Sequence, residues 1–136
     1  MTGLSKYTQD KQTNLFNKYG VFFAFSNEQL KEGLEDLKSK GILNEGEKLM
    51  RLPMGMLAPS KHAQKVMNKL SKIHSDGRAQ DIAENGKEKI IIRELYNYES
   101  FYTGDISDTV DALELYGFSY DDIYEVYRKE LPNVEF

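Results

Sequence analysis

The longest uninterrupted apolar run in the chain is Val21-Phe22-Phe23-Ala24-Phe25. It is far shorter than the ~20 residues a membrane-spanning helix needs, and it suits one buried strand. The rest of any core must therefore come from amphipathic segments. A chain of 136 residues, 40% of them hydrophobic, is long enough to close such a core. At this length roughly two thirds of the unfolded surface is buried without help from a disulfide or a metal. Cysteine is absent. That excludes a disulfide framework, thiolate zinc sites, iron–sulfur clusters and a cysteine nucleophile. No apolar signal core follows Met1-Thr2-Gly3-Leu4-Ser5-Lys6, so a cytoplasmic location is expected.

Helical spacing and capping residues organise the remainder. Tyr7, Leu15, Phe16 and Tyr19 anchor a helix over 6–19 that Gly20 ends. Ser26 reads as an N-cap with Gln29 at the capping-box position, opening a helix with Leu30, Leu34 and Leu37 on one stripe and Gly41 as its stop. Met50, Leu52, Met54, Met56 and Ala58 alternate, which predicts a strand over 49–58, and Pro53 places that strand at a sheet edge. Ala63, Val66, Met67, Leu70 and Ile73 line a helix after Ser60, with breaks expected at Asp76-Gly77 and Asn85-Gly86. Over 87–101, Ile90-Ile91-Ile92 favours a strand by propensity, but Ile91, Leu95, Tyr98 and Tyr102 have helical spacing, so the segment is read as helix. Asp105 or Ser107 caps a further helix that ends at Tyr116-Gly117, and Ser119 with Asp122 caps the last.

The expected fold is α+β and mostly helical, with five or six helices packed on a small two- or three-stranded sheet. One domain is expected over 1–136, with a helix–strand–helix–strand part over 1–60 and a helical part over 61–136. Phe23, Phe25, Leu34, Leu52, Val66, Leu70, Ile91, Leu95, Leu113 and Ile123 are the expected core.

Charge is unevenly distributed. Residues 94–136 carry 11 acidic and 2 basic groups, and no Lys, Arg or His stands between Glu94 and Tyr127. Seven of the nine tyrosines fall in that stretch. Tyrosine supplies contact area at little entropic cost. The segment therefore predicts a partner-binding surface of Asp105, Asp108, Asp111, Asp121, Asp122 and Glu125, with Tyr102, Tyr116, Tyr120 and Tyr124 as anchors. Residues 61–93 lean the other way, with 8 basic and 4 acidic groups. Lys61, Lys65, Lys69 and Lys72 lie at helical spacing, with Arg78, Lys87, Lys89 and Arg93 following, which is the alternative, nucleic-acid-binding surface. A polar cluster of Glu94, Asn97, Tyr98 and Glu99 stands beside the apolar stripe of 87–101.

Catalytic signatures are missing. His62 and His74 are twelve residues apart, so no i, i+4 metal pair exists, and no Gly-rich phosphate loop or G-x-S-x-G run occurs. The stretch from Asp105 lacks the Gly at the sixth position and the Glu at the twelfth that a calcium loop requires. No enzyme, metal or cofactor is expected.

Phe22-Phe23-Ala24-Phe25-Ser26 with Glu28-Gln29, Glu94-Leu95, Asn97-Tyr98-Glu99 and the acidic capped helix together resemble a family of small uncharacterised proteins. These are met in bacteriophages and mobile elements of gut and related bacteria, and they often carry His where Tyr98 stands. The resemblance implies a phage or mobile-element accessory protein in the cytoplasm of a host bacterium. The expected function is then non-enzymatic binding of a protein with a basic surface, such as a host CRISPR nuclease, restriction enzyme or nucleoprotein, which the protein would inhibit. The alternatives are a nucleic-acid-binding module using the lysine face, and a homodimer in which the basic helix of one copy meets the acidic segment of another.

Overall fold

The computed structural model describes residues 3–136. The chain forms two compact units, one of Met1–Tyr7 with Asp76–Phe136 and one of Thr8–Ser75. The divisions fall inside two helices, α1 (Ser5–Tyr19) and α3 (Ala63–Asn85). The fold is α+β and mostly helical, with seven α-helices and a three-stranded antiparallel sheet among the described residues. None of the helices is long and apolar enough to cross a membrane.

In the Thr8–Ser75 unit the sheet order is β1 (Phe22–Phe23), β3 (Met56–Pro59), β2 (Leu49–Arg51). Phe23 pairs with Met56 and Met50 with Ala58. All four residues of the central strand β3 are buried. Leu15, Tyr19, Val21, Met56, Ala58, Val66 and Leu70 form the core cluster, with Phe16, Leu52 and Ile73 packed against it. Between β1 and β2 lies α2 (Asn27–Ser39), capped by Ser26, whose Oγ accepts from the Gln29 N–H at 3.2 Å.

The expected strand over 49–58 is instead a hairpin. Pro53, Met54 and Gly55 make a tight turn in which Met54 and Gly55 both have positive φ, and the Leu52 N–H then donates to the Met56 carbonyl at 2.8 Å. The alternation continued through a chain reversal that it could not register, and Pro53 belongs to the turn rather than to a sheet edge. Two expected core residues are also displaced. Phe23 is 46% and Phe25 75% exposed, because β1 pairs over only two residues and Ser26 opens a helix immediately afterwards. The Phe25 ring lies over Gly55, where an added Cβ would meet it at 2.3 Å.

Phe22 packs in the same manner on α2, where a Cβ on Gly33 would fall 2.1 Å from its ring. Alanine is the better helix former by about 1 kcal/mol. Overpacking costs ~1–3 kcal/mol, so Gly33→Ala should lower stability on balance. Urea unfolding should show a lower midpoint for Gly33→Ala and a smaller loss when Phe22→Leu accompanies it. A raised midpoint in the single variant would show that Phe22 does not hold this position.

In the other unit, α4 (Lys87–Asn97) packs against α5 (Ser100–Thr103), α6 (Ser107–Leu113) and α7 (Tyr120–Glu130). Ile90, Ile91, Leu95, Phe101, Ile106, Leu113 and Ile123 are its core. The 87–101 segment is helical, as its spacing predicts, but it divides at Glu99, which takes a left-handed conformation with φ 54. The expected break at Asn85-Gly86 is present, with Gly86 at φ 79. The one at Asp76-Gly77 is not, since α3 runs through it with Gly77 buried.

Candidate functional site

The acidic, tyrosine-bearing segment is built on α6 and α7. Ser119 and Asp122 form a capping box at the start of α7: Ser119 Oγ accepts from the Asp122 N–H at 3.1 Å, and Asp122 Oδ2 accepts from the Ser119 N–H at 3.0 Å. Asp122 also pairs with Lys87 at 2.8 Å. That lysine, with the Ser119 bonds, holds its carboxyl down at about 2. Asp122 is therefore a structural residue and leaves the expected binding set. Asp105 is also engaged locally, its Oδ1 accepting from the Ser107 N–H at 2.9 Å and from the Ser107 hydroxyl, which lowers its pKa.

Tyr116 is the second correction. Its ring is half-buried and its hydroxyl donates to Asp81 Oδ2 at 2.6 Å, so it is no surface anchor. Burial first, and then the Asp81 carboxylate, raise its pKa well above the usual tyrosine value.

The remaining residues stay at the surface. Asp108, Asp111, Asp121 and Glu125 are exposed, and their carboxylates have no hydrogen-bond or ion-pair partner among the described residues. Lys129, which could have answered Glu125 one turn away, pairs instead with Glu88 at 3.6 Å. Asp121 and Glu125 therefore stand at i, i+4 as like charges, an arrangement that costs a helix a few tenths of a kcal/mol. Beside them Tyr120 and Tyr124, 56% and 47% exposed, lie nearly parallel, with centroids 6.2 Å apart and planes 6° apart. The ring array continues inward from Tyr124 to Tyr127 at 6.3 Å and to Phe101 at 5.4 Å. Tyr102 is exposed and meets Phe136 edge-on at 5.5 Å.

The basic alternative is weaker than its sequence suggests. Lys61 pairs with Glu47 at 2.8 Å, and Lys65 sits over the Tyr19 ring at 5.8 Å. Lys69, Lys72 and Lys89 are exposed, Arg78 is half-buried, and Lys87 is held by Asp122. Arg93 is not a surface group. Its Nη1 and Nη2 donate to the two Asp81 oxygens at 3.0 and 2.9 Å, and its Nε donates to Glu94 Oε1 at 2.9 Å.

That pair is the centre of a larger network than the Glu94 cluster alone. Asp81 is fully buried and accepts four hydrogen bonds: two from Arg93, one from Tyr116, and one from Asn85 Nδ2 at 2.8 Å. Burial alone would raise its pKa, but the bonds from Arg93, Tyr116 and Asn85 outweigh burial and leave the carboxyl below its ordinary value. Asn85 also donates to the Tyr7 hydroxyl at 3.0 Å, which itself donates to Glu84 Oε2 at 2.6 Å. Asn97 Nδ2 joins Glu94 at 3.3 Å, whereas Tyr98 lines a cavity of about 290 Å³ beside them and Glu99 caps a helix end. The central carboxylate is saturated by its own neighbours, which suits a structural lock. Sequence reasoning missed Asp81, although it extends the Leu70, Ile73, Gly77 stripe of α3 and so places a carboxylate on an apolar face.

His62 packs edge-on against Tyr19 at 5.2 Å, and His74 shares a 3.0 Å hydrogen bond with Gln12. Among the described residues no group of three His, Asp or Glu side chains converges as metal ligands would. A model of a family of unknown function (DUF7659) matches residues 4–133. No curated protein and no solved structure matches the chain.

Proposed function

The chain belongs to the family of unknown function DUF7659, and from that premise we propose that it is a protein-binding module whose acidic, tyrosine-bearing face of α7 takes a basic partner. The observation that carries this reading is the pairing of two parallel, half-exposed rings, Tyr120 and Tyr124, with two carboxylates, Asp121 and Glu125, that no cation among the described residues answers. Rigid aromatic area beside unscreened charge is the composition of an interface hot spot with electrostatic steering. Such a surface competes with phosphate for a Lys/Arg-lined channel. Inhibition of a host nucleic-acid-processing enzyme by a phage or mobile-element protein is the specific form we propose. Direct nucleic-acid binding is less well supported, since Lys61, Lys87 and Arg93 are already spent on Glu47, Asp122 and Asp81.

The test is Asp121→Lys with Glu125→Lys, leaving Asp122 in place because its loss would uncap α7. Against a partner captured from host lysate, the double reversal should slow association about tenfold or more without changing the melting temperature. The wild-type association rate should also fall as salt rises. Unaltered binding by the double reversal would remove α7 from the interface.

A further inference from the structure

We propose that the α7 face selects arginine over lysine, its occupant being an extended, arginine-bearing segment of the partner protein. This rests on the protein-binding reading above and specifies the chemistry of that same surface. Asp121 and Glu125 supply carboxylates, for which charge complementarity demands a cation, and the rings decide which cation. With centroids 6.2 Å apart and planes 6° from parallel, Tyr120 and Tyr124 form a stacked pair that is about half exposed. A cation seated on the solvent side of either ring falls within about 6 Å of its centroid, the range in which a ring quadrupole attracts a charge. A planar guanidinium stacks on a ring while its fork of N–H donors reaches a carboxylate in two bonds. A lysine ammonium offers a strongly hydrated point charge and no plane to stack.

The cations among the described residues leave these rings uncovered. The cation–ring contacts among the described residues are Lys6 on Tyr7, Lys18 and Lys65 on Tyr19, and Lys87 on Phe118. Tyr120 and Tyr124 receive none, although Arg128 follows Tyr124 by one turn.

Octa-arginine and octa-lysine peptides of equal charge, titrated calorimetrically against the full chain at low salt, test the inference. The arginine peptide should bind about fivefold tighter or more. Tyr120→Leu with Tyr124→Leu should bring it down to the lysine value, while Tyr120→Phe with Tyr124→Phe keeps the preference. Circular dichroism melts confirm that each variant folds. Equal affinity of the two peptides for the wild-type chain, or a preference that survives in the leucine pair, would overturn the selection of arginine and leave the acidic interface standing. If neither peptide binds, or if Asp121→Asn with Glu125→Gln changes nothing, both readings fail together.

Discussion

Arg93→Ala is expected to cost about 3–5 kcal/mol of folding stability, because it strands the fully buried Asp81 carboxylate. Tyr116 and Asn85 would still donate to it, but the charge itself would have no counterion. Urea unfolding monitored by circular dichroism measures the loss. The comparison that isolates the cause is the double variant Asp81→Leu with Arg93→Met, which removes both charges at similar volume. It should be more stable than Arg93→Ala, since a buried ion pair is replaced at little net cost when no charge is left behind. If the single variant is the more stable of the two, Asp81 is not buried as described. Acid should act on the same lock. Asp81 has a folded pKa below the ordinary carboxylate value, so its contribution is complete above the unfolded value near 3.8 and is lost as pH falls below it. Asp122, held at about 2, adds a loss of its own as pH falls from about 4 to about 2. Arg93→Ala should flatten that acid limb.

Leu95→Ala should cost about 2–5 kcal/mol, since Leu95 is fully buried in the last turn of α4, the helix on which α5, α6 and α7 pack. The contrast is Phe25→Ala, for which sequence alone would expect a cost at least as large. With the ring largely in solvent over Gly55, a loss of ~1 kcal/mol or less is expected instead. Thermal melts of the two variants should therefore differ by several degrees, and equal losses would return Phe25 to the core.

Local chemistry was the legible part of this chain. Ser26, the Ser119–Asp122 box, Gly20 and Gly86 all act on their own backbone within a few residues, so their spacing carries the whole message. Val66, Leu70, Ile91, Leu95, Leu113 and Ile123 are buried because helical periodicity places them on one face. What failed depended on partners distant in sequence. Met50 to Ala58 alternates on both arms of a hairpin, and nothing in a period of two reveals that Pro53-Met54-Gly55 reverses the chain. Phe25 is hydrophobic enough for a core, but its place follows from where β1 stops pairing with β3. In the candidate site, charge and spacing made the exposure of Asp121, Glu125, Tyr120 and Tyr124 legible. Asp122 and Tyr116 were misassigned because Lys87 and Asp81, which hold them, lie 35 positions earlier in each case.

The sheet has a consequence for behaviour at high concentration. Its outer strands run for only two and three residues, and the one long enough to matter, β3, is enclosed between them with Pro59 at its end. An open edge invites a foreign strand in proportion to the row of unpaired amides it displays. Phe22–Phe23 and Leu49–Arg51 display almost no such row, so the aromatic segment from Val21 to Phe25, the most amyloid-like stretch of the chain, has no ladder on which to recruit a second copy.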